Sequence, residues 1–169
     1  MSVDNWRHRH RRHRRRNAGA LMDAAYRLRT VRVGVVREPA PRRLYANGPA
    51  EAVAILRPLY AELDGDREHF SILVLNAQNA VVGFKAVSTG GTAATTVDAK
   101  NLFRDALLLG ASSLILAHSH PSGDPTPSRE DVRLTRQLVE GGRLLDMPIR
   151  DHIVLGDGDF VSFAEKGLL

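Results

Sequence analysis

At 169 residues, 43% hydrophobic and 25% charged, the chain has the length and composition of one globular domain with an extension, which excludes a disordered, collagenous or membrane-embedded class. Cysteine is absent, so a disulfide scaffold, a cysteine nucleophile and any thiolate metal site, that of the Cys-ligated zinc deaminases included, are excluded. The net charge of +5 belongs to one segment: residues 1–16 carry seven arginines and one acid, and the remainder holds 17 basic against 18 acidic residues.

Residues 1–16, which include WRHRHRRHRRR, read as a disordered Arg/His-rich tail. Two readings of it stand side by side. Clustered arginines could form an electrostatic arm for nucleic acid, or the segment is a plain extension or a start site placed too early. Asp23 and Arg27 interrupt the apolar residues that follow, so no export signal is expected and a cytoplasmic protein is. Leu107 to Ala117 is the longest weakly apolar run, too short for the roughly 20 residues of a membrane span.

Residues 17–46 form an N-terminal extension in which 18–29 suit a short amphipathic helix and Val31, Val33 and Val35 a strand, before a loop at 39–43. From Asn47-Gly48-Pro49 a helix is predicted, with Val53, Leu56, Tyr60 and Leu63 inward, Pro58 kinking or ending it and Gly65 closing it. FSILVL at 70–75 is a buried strand that pairs as a hairpin with 80–88. A loop at 89–92 follows. Asp98 then caps a helix with Leu102, Phe103, Ala106 and Leu107 inward, stopped by Gly110. SLILA at 113–117 is a second buried strand. A helix is expected from about Ser128 to Glu140, ended by Gly141-Gly142, and strands at 149–155 and 160–163. Interleaved strands and helices give a mixed α/β (α+β) domain.

The chemistry concentrates in AHSHPSGDPTPSRED, residues 117–131. His118 and His120 stand two apart at a strand end, so both imidazoles point to one face. Asp131 lies on the first turn of the next helix, within reach of that strand end. Two His and one Asp make a three-ligand zinc site that leaves a fourth position for water, as catalytic sites require. Plainer readings exist for each piece. His-x-His can be surface polarity, Ser128-x-x-Asp131 is a capping box, Thr126 could cap instead, and the prolines could simply stiffen the loop. The capping and metal readings are compatible.

His118-Ser119-His120, seven residues, Ser128, two residues and Asp131 match the JAMM signature of the MPN/JAB-domain metalloproteases without a gap. HSHPSGDPTPSRED, with LTRQLVEGGRLL and DHIVLGDGDFVS after it, resembles the RadC-like branch of that superfamily, and the likeness covers 47–169. The resemblance implies an MPN domain, a mixed β-sheet flanked by helices with cytidine-deaminase-like architecture. It implies a zinc-dependent peptidase or isopeptidase with Zn²⁺ on His118, His120 and Asp131. Glu68, in REHF, matches the upstream glutamate that serves as general base, ahead of Glu62, Glu130 and Glu140. Ser128 would stabilise the oxyanion and not act as nucleophile. Asp151-His152 also matches the pattern, with His152 behind the metal, against the substrate, or simply buried; His69 should face the other side of its strand. A peptide or protein is the substrate implied. Full-length RadC-like proteins usually carry a helix-hairpin-helix DNA-binding region, where the residues before this domain are Arg-rich. The alternative is therefore a DNA-associated accessory protein, binding through the tail, with a structural or nucleolytic metal site.

Overall fold

Among the described residues the first helix starts at Pro49, where the sequence places it. The computed structural model describes residues 43–89 and 97–169. The tail, the elements expected at 18–29 and 31–35, and residues 90–92 of the expected loop lie outside them. The elements run α1 (Pro49–Ala61), β1 (His69–Leu75), β2 (Val81–Thr89), α2 (Ala99–Leu108), β3 (Ser113–Ser119), α3 (Arg129–Leu144), β4 (Ile149–Leu155) and β5 (Phe160–Ser162). They form a mixed α/β domain with a five-stranded sheet ordered β2-β1-β3-β4-β5. β1 pairs antiparallel with β2 and β3, and β3 pairs parallel with β4. The parallel pair requires a crossover, which α3 supplies. Among the described residues no helix is long and apolar enough to cross a membrane.

The central strands β1 and β3 alternate their side chains between two cores. Phe70, Ile72, Val74, Leu114 and Leu116 pack under α2 and α3 with Leu102, Phe103 and Leu138. Leu73, Leu75, Ile115, Ala117, Ile153 and Leu155 pack against Ala52, Val53 and Leu56 of α1. β1 is buried along its whole length. The hairpin turn is held by Asn76, whose Oδ1 accepts the N–H groups of Gln78 (2.9 Å) and Ala80 (3.0 Å). Tyr45 adds an isolated bridge to Ala80 that the sequence did not announce.

Three expectations are corrected. Pro58 does not end α1, which continues to Ala61. The residue whose carbonyl loses its partner to Pro58 is Ala54, and it is exposed, so water can satisfy it. Leu107 is 53% exposed instead of inward, because it sits at the margin of the stripe through Leu102, Phe103 and Ala106. Gly141 and Gly142 do not terminate α3, which runs to Leu144. They are helical and close-packed: a Cβ at Gly141 would lie 2.7 Å from Cε2 of Phe103, and one at Gly142 would lie 2.5 Å from the Met147 carbonyl oxygen.

The Gly142 contact decides the sign of a substitution. Alanine gains about 1 kcal/mol of helix propensity over glycine, but its methyl group would press on backbone that cannot rotate away. Overpacking of this kind costs about 1–3 kcal/mol and occasionally more, and against a fixed backbone oxygen it outweighs the propensity gain, so Gly142→Ala is expected to lower the melting temperature by a few degrees.

Candidate metal centre

β3 carries His118 and His120 out of the sheet at its carboxyl end, on the face covered by α2 and α3. The register Phe70↔His118 continues that face onto β1, where Phe70 stacks on His118 with ring centroids 6.2 Å apart and planes 12° apart. The chain then turns through Pro121 to Pro127 and enters α3. The turn is tight: Gly123 has φ +78°, and a Cβ there would meet Asp157 Oδ2 at 2.6 Å. Asp124 Oδ1 accepts the Thr126 N–H at 2.9 Å.

Ser128 is the cap of α3, and Thr126 is not. Its hydroxyl accepts the Asp131 N–H at 3.1 Å, and its own N–H donates to Asp131 Oδ2 at 2.8 Å. The Ser128 hydroxyl also donates to Asp131 Oδ2, at 2.6 Å. The capping box thus engages Oδ2, which also faces His120, and leaves Oδ1 directed at His118. The helix N-terminus adds its own preference for a negative group at this position.

The three groups converge. His118 Nε2 and His120 Nε2 are 2.9 Å apart, His118 Nε2 lies 3.4 Å from Asp131 Oδ1, and His120 Nε2 lies 3.6 Å from Asp131 Oδ2. Donors of a tetrahedral zinc site with bonds of about 2.0–2.1 Å stand about 3.3–3.4 Å apart. One ligand atom from each residue lies within 4.8 Å of the others, so the trio could hold a metal ion. The proton arrangement fits too. His120 Nδ1 is 2.7 Å from the Asp124 carbonyl oxygen, which can only accept, so Nδ1 carries a proton and neutral His120 has a bare Nε2. A bare Nε2 facing a second imidazole nitrogen and a carboxylate calls for a cation.

Without a metal, the surroundings favour a proton there. The hydrogen bond with Asp131 raises the His120 pKa above its ordinary 6.5; burial opposes this, and the Asp124 carbonyl and the charges of Asp131 and Glu68 support it. Burial would raise the Asp131 pKa, but the facing imidazoles of His118 and His120 and the hydrogen bond from Ser128 hold it well below the carboxylate range. His152 goes the other way, its pKa pushed well down by complete burial first and by His118 second.

The other residues singled out by sequence divide by exposure. Glu68 immediately precedes β1, and continuing the register past Phe70↔His118 sets it beside His120, whose pKa its charge helps to raise. Glu62, Glu130 and Glu140 are exposed. His69 lies on the opposite side of the sheet, as expected, with Nε2 2.7 Å from the Asp64 carbonyl oxygen. It lines a groove of about 310 Å³ with Arg57, Tyr60, Asp64 and Ser119, and His120 is among the lining residues. His152 has no exposed surface and lies against His118, with Nε2 2.8 Å from His118 Nδ1, so it cannot touch a substrate. Asp151 fixes this part of β4 by accepting from the Ser162 hydroxyl (2.6 Å) and the Ala164 N–H (3.0 Å). Thr135, buried and one turn beyond Asp131 on the same face of α3, belongs to the site but was not singled out; its i+4 spacing from Asp131 was the available signal.

Comparison with known proteins agrees with this geometry. Residues 46–168 match the family model for the RadC-like JAB domain. The chain is 41% identical over 143 residues to a UPF0758 protein of Symbiobacterium thermophilum, covering 84% of this chain and 60% of that protein. It is 40% identical over 131 residues to a UPF0758 protein of Desulforamulus reducens, covering 78% and 57%. For a UPF0758 protein of Methanococcoides burtonii the identity is 40% over 119 residues, covering 70% and 51%. The chain therefore spans about three fifths or less of the length of these relatives, whose shared name specifies no activity. With its five-stranded mixed sheet, its His118-His120-Asp131 cluster and the match over 46–168, the chain belongs to the RadC-like JAB domain family.

Proposed function

We propose that this chain is a zinc-dependent hydrolase of the JAMM type that cleaves amide bonds in peptide or isopeptide substrates, with residues 47–169 as the catalytic unit. One observation carries the reading: His118 Nε2, His120 Nε2 and an oxygen of Asp131 meet within 4.8 Å at the open end of β3, with Glu68 beside them. Zn²⁺ held there would bring the pKa of its water toward about 7 and polarise the substrate carbonyl.

The protein groups then have distinct tasks. His118 and His120 present neutral nitrogens, and Asp131 supplies the compensating charge. Glu68 takes a proton from the attacking water and delivers it to the leaving amine. Ser128 has one hydroxyl proton, given to Asp131 Oδ2 in this structure. Turned toward the substrate, the same proton would hold the developing oxyanion. Asp131 Oδ2 would keep the Ser128 backbone N–H in the meantime. The groove of about 310 Å³ that His120 helps to line is a place for part of such a substrate beside the cluster.

Elemental analysis should find one zinc per chain bound at the cluster and lost in the His118→Ala/His120→Ala double variant; no loss would refute the site. On a panel of peptide and isopeptide substrates, Glu68→Gln should lower kcat by about 10²–10⁴-fold with zinc content unchanged. Unchanged turnover would remove Glu68 as the base, whereas no turnover by the zinc-loaded wild type would favour the DNA-associated reading. Ser128→Ala should cost about 1 kcal/mol of stability as a lost cap, and about 10²–10³ in kcat as a lost oxyanion donor. A stability loss alone would make Ser128 a cap and nothing more.

The raised His120 pKa sets the sign of the pH dependence. In the metal-free protein the extra stability of protonated His120 is fully present below pH 6.5 and is lost as pH rises through the raised value. Zinc competes with that proton, so its binding weakens as pH falls through the same range, by about tenfold per unit below the pKa. Zinc titrations at several pH values, with metal-free melting curves beside them, should show the two trends running in opposite directions.

A further inference from the structure

We infer that His152 and Thr135 are positioning residues that hold His118 in the tautomer able to bind a metal, protonated on Nδ1 and bare on Nε2. The inference rests on the reading of His118, His120 and Asp131 as a metal site. It concerns residues outside that trio.

The assignment follows from counting protons along one hydrogen-bonded path. Thr135 Oγ1 lies 2.6 Å from the Asp131 carbonyl oxygen, which can only accept, so the hydroxyl proton goes there. With that proton committed, Thr135 Oγ1 meets His152 Nδ1, 2.6 Å away, as an acceptor, and His152 carries its proton on Nδ1. His152 is completely buried, without a carboxylate bonded to its ring, between Phe70 and Phe163 at centroid distances of 5.4 and 4.7 Å. Such a ring is neutral, so its Nε2 is a lone pair. That lone pair faces His118 Nδ1 at 2.8 Å, and His118 must donate. His118 Nε2 is left bare, directed at His120 and Asp131.

The path begins at the backbone of one ligand residue and ends on the imidazole of another. It ties α3, β4 and β3 together, and the direction of every bond is set by a carbonyl that has no proton to give. Without the Thr135 hydroxyl, His152 loses the acceptor that keeps its proton on Nδ1. The proton can then move to Nε2 and point at His118 Nδ1. His118 must answer by carrying its own proton on Nε2, where the metal would bind. Outer hydrogen bonds of this kind are worth about 10–100-fold in metal affinity.

The test uses the full chain as wild type, Thr135→Val, Thr135→Ser and His152→Gln. Long-range ¹H–¹⁵N NMR of the metal-stripped proteins reads the tautomer of His118, and competition with a chromophoric chelator reads zinc affinity. His118 should be protonated at Nδ1 in the wild type and in Thr135→Ser. Thr135→Val should lose that tautomer and bind zinc about 10–100-fold more weakly, while Thr135→Ser stays within about threefold of wild type. His152→Gln, whose amide can accept from His118 and donate to Thr135, should retain the tautomer; it decides the matter with the wild type if Thr135→Val does not fold. A proton on Nε2 of wild-type His118, or wild-type tautomer and affinity in folded Thr135→Val, would overturn the inference. Wild-type protein that shows the Nδ1 tautomer but binds no zinc would overturn the metal reading and leave the tautomer assignment standing.

Discussion

The double pairing of β3 is the constraint on which the rest depends. β3 is hydrogen-bonded along both edges, antiparallel to β1 and parallel to β4. A strand held on both sides cannot slip by one residue without sending every side chain to the opposite face. The register that buries Leu114 and Leu116 under α2 and α3 therefore also aims His118 and His120 at the start of α3. The parallel pairing with β4 has a second consequence. It requires a crossover that leaves from the carboxyl end of β3, so a helix N-terminus must come back beside the two histidines. Asp131 arrives there because connectivity demands a helix at that place.

Asp131 then serves two purposes with two oxygens. Oδ2 completes the capping box with Ser128 and faces His120, while Oδ1 faces His118. The capping and metal readings of Ser128-x-x-Asp131 are thus not competitors. The cap immobilises a short side chain on the first turn, and a carboxylate fixed in this way is a better ligand than a free one. The local electrostatics is consistent with this division. The carboxyl is ionised, the His120 pKa is raised by its hydrogen bond to Asp131, and the pKa of buried His152 is driven down. A cation is favoured at the point where the nitrogens meet and disfavoured one ring further in.

The misjudged elements were misjudged for a shared reason. Gly141 and Gly142 look like a helix stop, since glycine is a poor helix former and a frequent terminator. Here they are small because Phe103 and the Met147 carbonyl approach the helix closely, and that approach depends on residues dozens of positions away or on the path of the next loop. Pro58 looks like a break, yet the carbonyl it orphans belongs to exposed Ala54. Leu107 has the right residue type for the core and the wrong angle on its helix. Local rules identified the residue types correctly but could not know their neighbours.

Sequence alone determined the mixed α/β class, the principal strands and their hairpin, and the cluster of His118, His120 and Asp131 that could hold a metal, because the residues concerned lie within a few positions of one another. A two-residue spacing on a strand and a three-residue capping box are read directly from the chain. Tertiary structure decided what stands behind and beside that trio. It set His152 under His118 rather than against a substrate, brought Thr135 within hydrogen-bonding distance of His152, and placed Glu68 at the mouth of the site through the pairing of β1 with β3. These contacts join residues 17 to about 50 positions apart. Sheet order and register create them, and no local periodicity encodes either one.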